Sequence, residues 1–227
     1  MNDIRKHQRV NDILLGPLER PALKWLAGHL PAWVTPDGCT LIGVLGALLI
    51  AVSYALSNLD RSFLWLASFG FIVNWFGDSL DGTLARRRNI ERPIFGFFVD
   101  HTMDAVSQVI IFLGMGLTPY VSFSVACLTL IGYMLLSVLV YVRTCATGEF
   151  KISYSKLGPT EIRALAIAFN TIMFFAGRQE LTLAAGSIGP ILLNPYDLLL
   201  AGITLILLYF FAVTAVKESI RIGKTGR

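Results

Sequence analysis

Apolar runs of about 20 residues, the length a helix needs to cross a bilayer, recur along most of this chain, and four aspartates stand inside the ends of two of them. Asp78 and Asp81 close one run, and Asp100 and Asp104 open the next. Ionised groups at membrane depth are costly, so they face a polar cavity and mark a functional site. The stretch Asn74 to Gln108, NWFGDSLDGTLARRRNIERPIFGFFVDHTMDAVSQ, is therefore the one the rest of the chain must accommodate.

The composition fits that constraint. Of 227 residues 55% are hydrophobic and 15% charged, and the mean hydropathy is +0.65. Such a balance excludes an ordinary soluble domain and gives an all-α, polytopic membrane protein. Six spans are predicted, at about residues 39–57, 63–84, 96–116, 121–142, 162–177 and 196–216. The fifth is short, and residues 181–193 form a further apolar stretch with Gly and Pro that either extends it or is a surface loop.

Basic residues test the count. Seventeen of the 19 Lys and Arg fall in alternate segments: the N-terminus, the connections after spans two and four, and the tail. Basic residues in short loops accumulate on the cytoplasmic side, so both termini and the acid cluster are expected there; for a bacterial source the membrane would be the inner or plasma membrane. The net charge of +4 reflects those loops, and no nucleic-acid partner is expected. Residues 1–37 mix Arg5, Lys6, Arg9, Arg20 and Lys24 with Ile, Leu and Trp, and have no unbroken apolar run. They read as an interfacial amphipathic segment interrupted near Pro17 and Pro21, without a cleavable signal. The implied division is residues 1–37, a transmembrane catalytic domain over 38–217, and a basic tail over 218–227.

Helical spacing orders the acids. Asp78 and Asp81 are three residues apart and Asp100 and Asp104 four, so each pair shares a helix face. Clustered carboxylates repel unless cations lie among them, and hard oxygen ligands suit Mg²⁺, Mn²⁺ or Ca²⁺. Gly82 and Gly96 each fall one turn from an acid, leaving room for a phosphate chain to approach backbone.

These positions, Asp78, Asp81, Gly82, Ala85, Arg86, Gly96, Asp100 and Asp104, resemble the DxxDGxxAR…GxxxDxxxD signature of the CDP-alcohol phosphotransferase family, class I. Every fixed position is filled, and the gap between Arg86 and Gly96 is one residue longer than the family's usual one. The resemblance implies a six-span enzyme that transfers a substituted phosphate from a CDP-alcohol to an acceptor alcohol and releases CMP, dependent on Mg²⁺ or Mn²⁺ at a two-ion site. It implies metal ligation by Asp78, Asp81 and Asp100, with Asp104 as ligand or base, and a CDP pocket lined by Gly82, Ala85 and Arg86 with Gly96. A homodimer is the expected assembly. Residues 31–43 resemble the entry to the family's first span, with Asp37 in place of the usual Asn.

His101 directly follows Asp100. It either hydrogen-bonds a ligating carboxylate or takes the acceptor's proton, and the choline and ethanolamine branch of the family carries a His there. The base is left open between His101 and Asp104. That histidine tilts the donor toward CDP-choline or CDP-ethanolamine with a lipid alcohol acceptor; the alternative is CDP-diacylglycerol with a small alcohol. Outside the family the competing readings are a membrane prenyltransferase, in which Asn74 and Asp78 would start an NDxxD-like motif, and a divalent-cation transporter.

Fainter signals complete the reading. Arg87 and Arg88 read as topology and headgroup charges. Thr160 and Glu161 read as helix caps after Pro159, with Lys156 or Arg163 available to an anionic group. Trp33, Trp65 and Trp75 read as belt aromatics. Gly43 with Gly46 permits a close helix contact without establishing a dimer. Cys39, Cys127 and Cys145 form no CxxC pair, so neither a disulfide nor a zinc site is expected.

Overall fold

The computed structural model describes residues 14–147, 158–184 and 190–225. Seven helices run in order: α1 (Gly16–His29), α2 (Pro36–Leu56), α3 (Phe63–Arg88), α4 (Pro93–Met115), α5 (Phe123–Thr147), α6 (Pro159–Ala176) and α7 (Pro195–Thr225). Prolines at the starts of α2, α4, α6 and α7 set these boundaries, because the ring's fixed φ suits the first helical position and the missing N–H is not needed there. Thr35 caps α2 by accepting from the Gly38 N–H at 3.1 Å.

Five helices, α2, α3, α4, α5 and α7, are long and apolar enough to cross a membrane. The protein is thus an integral membrane protein. The expected fifth span is α6, which is not among those five; its 18 residues carry Glu161, Arg163 and Asn170. The stretch 181–193 is described only at residues 181–184 and 190–193. Leu181–Ala184 (β1) pairs antiparallel with Pro190–Leu193 (β2), Leu181 opposite Leu193, a four-residue ribbon beside an otherwise helical chain.

Two more boundaries move. The tail expected from residue 218 is helix, since α7 runs unbroken to Thr225. No proline interrupts it, and Glu218 ties it together, 3.1 Å from Arg221 one turn on and 3.3 Å from Arg143 on α5. In α1, Pro17 lies in the first turn and Pro21 inside the helix, so neither interrupts it. A proline this near an N-terminus removes at most one intrahelical bond.

α2 and α3 form the most closely packed pair, and glycine makes that possible. A Cβ added at Gly77 would collide with the backbone nitrogen of Gly43, and one at Gly46 would stand 2.5 Å from that of Asn74. Gly43 and Gly46 therefore serve a contact within the chain. Asn74, buried at this seam, donates its amide to the Gly43 carbonyl at 2.9 Å. One apolar core joins α2, α3, α4, α6 and α7 through Ile50, Tyr54, Phe71, Ile111, Met173 and Leu200. A second places Leu23 and Ala27 of α1 against Cys39, Leu80 and Leu84.

Substituting Gly77→Ala should destabilise the purified protein by about 1–3 kcal/mol through overpacking, read as a lower unfolding temperature in detergent. Gly96→Ala, with nothing within 4 Å of the new carbon, should change stability by less than about 0.5 kcal/mol.

Candidate active site

The site forms where α3 ends and α4 begins. α3 closes on Asn89, whose left-handed backbone (φ 55°) lets the Asn89 and Ile90 N–H groups bond the Arg86 and Ala85 carbonyls at 3.2 and 3.1 Å. Asparagine tolerates that conformation better than most residues. α4 then restarts at Pro93.

Asp78 of α3 and Asp100 and Asp104 of α4 come together, each offering a carboxylate oxygen within 4.8 Å of the others. Thr40, Gly43 and Asn74 line the same cavity. Asp81 does not join the group. Three residues on a helix is a rotation of about 300°, which turns Asp81 some 60° toward α2, where its Oδ2 accepts from Thr40 Oγ1 at 2.7 Å and its Oδ1 from the Gly82 N–H. It stays within electrostatic reach of Asp78 and Asp100. The expected quartet is thus a trio with a fourth carboxylate held at its border.

The donor set fits a hard divalent ion: three half-buried carboxylates at chelating separation, with no soft ligand among them. Such a group stays ionised and compact only if positive charge is supplied.

The remaining motif positions lie around this centre. Arg86 is exposed, donates to Thr83 Oγ1 at 3.2 Å and lies 3.4 Å from where a Cβ on Gly82 would sit. Gly96, one turn before Asp100, faces open space, and Ala85 is half-buried on α3. His101 is stacked on Phe97 with ring centroids 4.2 Å apart and meets the Tyr141 ring edge-on at 5.4 Å. Its Nδ1 lies 2.8 Å from the Phe97 carbonyl oxygen and 3.6 Å from Asp100 Oδ2.

Several site residues were faint or silent in the sequence. Arg163, one of two cations singled out on the α6 side, donates from Nη2 to Asp78 Oδ2 at 2.6 Å and from Nε to Asn74 Oδ1 at 2.8 Å; Lys156 lies outside the described residues. Thr40 carried no signal. Glu19, an acid in a basic segment, accepts from Trp75 Nε1 at 2.9 Å, Ser79 Oγ at 3.1 Å and Thr160 Oγ1 at 2.8 Å, joining α1, α3 and α6. Trp75 is thereby tied into this network, and Thr160 spends its hydroxyl there instead of capping. Glu161 does cap, accepting from the Gly158 N–H at 2.9 Å and from Leu15 N–H at 2.7 Å. Arg88 is not a headgroup charge. Its guanidinium donates to the carbonyls of Leu30, Pro31, Ala32 and Val34, fastening the α1–α2 connection to α3. Asp37, the departure from the usual entry sequence, pairs with Arg92.

The chain belongs to the CDP-alcohol phosphatidyltransferase family, whose model matches residues 33–213. Cholinephosphotransferase 1 of Gallus gallus is 34% identical over 107 residues, 44% of this chain and 32% of that protein. An archaetidylinositol phosphate synthase of Pyrococcus horikoshii is 38% identical over 104 residues, 46% of this chain and 52% of that protein. A synthase of the same name from Methanothermobacter thermautotrophicus is 30% identical over 179 residues, covering 78% of each chain. The match thus spans a third to a half of the first two relatives. Membership displaces the prenyltransferase and transporter readings.

Replacing Asp100 or Asp104 by Asn should weaken Mn²⁺ binding by about tenfold or more, as loss of one charged ligand interaction implies. Asp81→Asn should cost less. Electron paramagnetic resonance of free Mn²⁺ during titration measures all three.

Proposed function

We propose that this protein is a divalent-metal-dependent CDP-alcohol phosphotransferase of phospholipid synthesis, moving a substituted phosphate from a CDP-alcohol to an acceptor hydroxyl and releasing CMP. The observation that carries this reading is the convergence of Asp78, Asp100 and Asp104 at the head of α4, with His101 on the same turn. Asp78, Asp100 and Asp104 would hold the first ion; Asp81, fixed by Thr40, supplies the further carboxylate for a second. The bound ions, Mg²⁺ or Mn²⁺, neutralise charge on the diphosphate and on the leaving CMP.

The chain's own groups do the rest. Gly82 and Gly96 leave backbone accessible to the diphosphate, Ala85 keeps that wall small, and Arg86 offers a guanidinium to a phosphate oxygen. The acceptor oxygen forms a bond to the phosphorus attached to the transferred alcohol, the bond to the CMP oxygen breaks, and the hydroxyl proton passes to a base. We assign that base to His101. A carbonyl oxygen can only accept, so the contact with Phe97 requires the proton on Nδ1, which in a neutral imidazole makes Nε2 the basic nitrogen. Asp104 then remains a metal ligand.

His101 favours a CDP-choline or CDP-ethanolamine type of donor with a lipid alcohol as acceptor. The archaeal synthase that covers 78% of both chains supports a second reading, a CDP-linked lipid donor with a small polar alcohol acceptor.

We place the site and both termini on the cytoplasmic side, on the distribution of basic residues, and count α6 as a sixth span whose Glu161 and Arg163 each find polar partners within the protein. α1 lies at the membrane surface, with Leu18 and Trp25 exposed on the face away from Leu23 and Ala27. Any homodimer uses a face other than the α2–α3 seam.

CMP release by the purified protein with Mn²⁺, tested with CDP-choline, CDP-ethanolamine and CDP-diacylglycerol against diacylglycerol and small polyols, checks the reading and selects between donors. Chelation with EDTA should abolish turnover, as should Asp100→Ala. His101→Gln should lower kcat about 10²–10⁴-fold with a small change in KM, the usual contribution of a general base. Unimpaired kcat in His101→Gln would return the base role to Asp104.

A further inference from the structure

We infer that Arg163 is the resident cation of the acid site: it holds Asp78 while no divalent ion is bound, gives up that carboxylate when one enters, and so lowers the site's metal affinity. The inference rests on the divalent-ion reading above.

The guanidinium is docked on a fixed platform. Nη2 lies 2.6 Å from Asp78 Oδ2 and Nε 2.8 Å from Asn74 Oδ1, and the Asn74 amide is oriented by its own bond to the Gly43 carbonyl at 2.9 Å. The side chain is only 11% exposed. α6 is anchored apart from this contact, through Glu161 to Leu15 and through Thr160 to Glu19. The arginine can therefore change partners without moving its helix.

Two features mark the docked position as provisional. The oxygen it engages belongs to one of the three carboxylates that meet within 4.8 Å, so an ion entering that group competes for the same residue. Nη1, meanwhile, is buried with no hydrogen-bond partner among the described residues. A buried guanidinium nitrogen without an acceptor is costly, so this arrangement suits the site's charge better than it suits the arginine. The charge balance agrees. Four aspartates carry four formal negative charges, of which one guanidinium offsets one; two divalent ions would offset all four and make the arginine redundant as a counter-ion.

A residue that merely tied α6 to α3 would give the opposite sign, since its loss would loosen the site and weaken metal binding. The test is Mn²⁺ affinity, measured by electron paramagnetic resonance on the purified full-length chain in detergent. Arg163→Gln should bind Mn²⁺ about tenfold more tightly than the unaltered protein, the scale of one charge-assisted hydrogen bond. Arg163→Lys, which keeps the charge but not the two-point docking, should fall between them. If Arg163→Gln does not fold, the lysine variant and the unaltered protein still decide: Mn²⁺ should raise phenylglyoxal labelling of Arg163, read by peptide mass spectrometry. Equal or weaker Mn²⁺ binding by the variants, or labelling that does not rise, would overturn the inference. Mn²⁺ binding that needs Asp78 but is not tightened in Arg163→Gln removes this inference and leaves the metal-dependent function standing. No Mn²⁺ binding by any variant, together with no CMP release, removes both.

Discussion

Like charges forced together in an apolar bundle are the constraint from which the rest of this structure follows. Three carboxylates within 4.8 Å of one another cannot be held by packing alone, because their repulsion strengthens as water is removed. The surroundings answer with a guanidinium on Asp78, a hydroxyl and a backbone amide on Asp81, and a histidine beside Asp100. Each comes from a different part of the chain, so the site is also what α2, α3, α4 and α6 converge on. Its chemistry and its architecture are one problem.

Where the carboxylates stand is decided by the α2–α3 seam. Gly43, Gly46 and Gly77 remove the side chains that would hold the two helices apart, and Asn74 locks the register by bonding across it. Asp78 is one turn beyond Asn74 and directly follows Gly77, so its position is inherited from that contact. α1 then braces the same region from outside. Glu19 gathers donors from α3 and α6, and Arg88 collects four carbonyls at the α1–α2 connection. A basic, unpromising N-terminal segment thus becomes a brace on the helix that carries the first half of the acid motif.

Much of this was legible in sequence because it rests on local rules. Run lengths placed α2 to α5, and three- and four-residue acid spacings gave the approximate faces of the two acid pairs. The failures came where the outcome is decided by partners distant in sequence. Asp81 shares a face with Asp78 only to within a rotation that Thr40 and Gly82 then fix. Arg88 looks like its neighbour Arg87 until the carbonyls of residues 30–34 are brought to it. The strands at residues 181–184 and 190–193 are too short for periodicity to announce them, and four residue pairs, from Leu181 with Leu193 to Ala184 with Pro190, define their pairing. Glu19 could have been singled out as an acid among bases, but nothing in the sequence says what it holds.

The histidine is the clearest instance of tertiary context turning an ambiguous residue into a specific one. In sequence, His101 beside Asp100 could orient a carboxylate or accept a proton. Phe97 constrains it twice over: its ring stacks on the imidazole and its carbonyl, one turn back, accepts a hydrogen bond from Nδ1. The remaining nitrogen is then an acceptor by elimination, and Tyr141 of α5 limits the ring's rotation from the other side. α4 presents Asp100 and Asp104 to the cavity and carries His101 on the same turn, so one helix fixes all three side chains relative to one another. The proposed transfer needs its metal-holding carboxylates and its base fixed relative to one another, and a single rigid helix does that with the fewest moving parts.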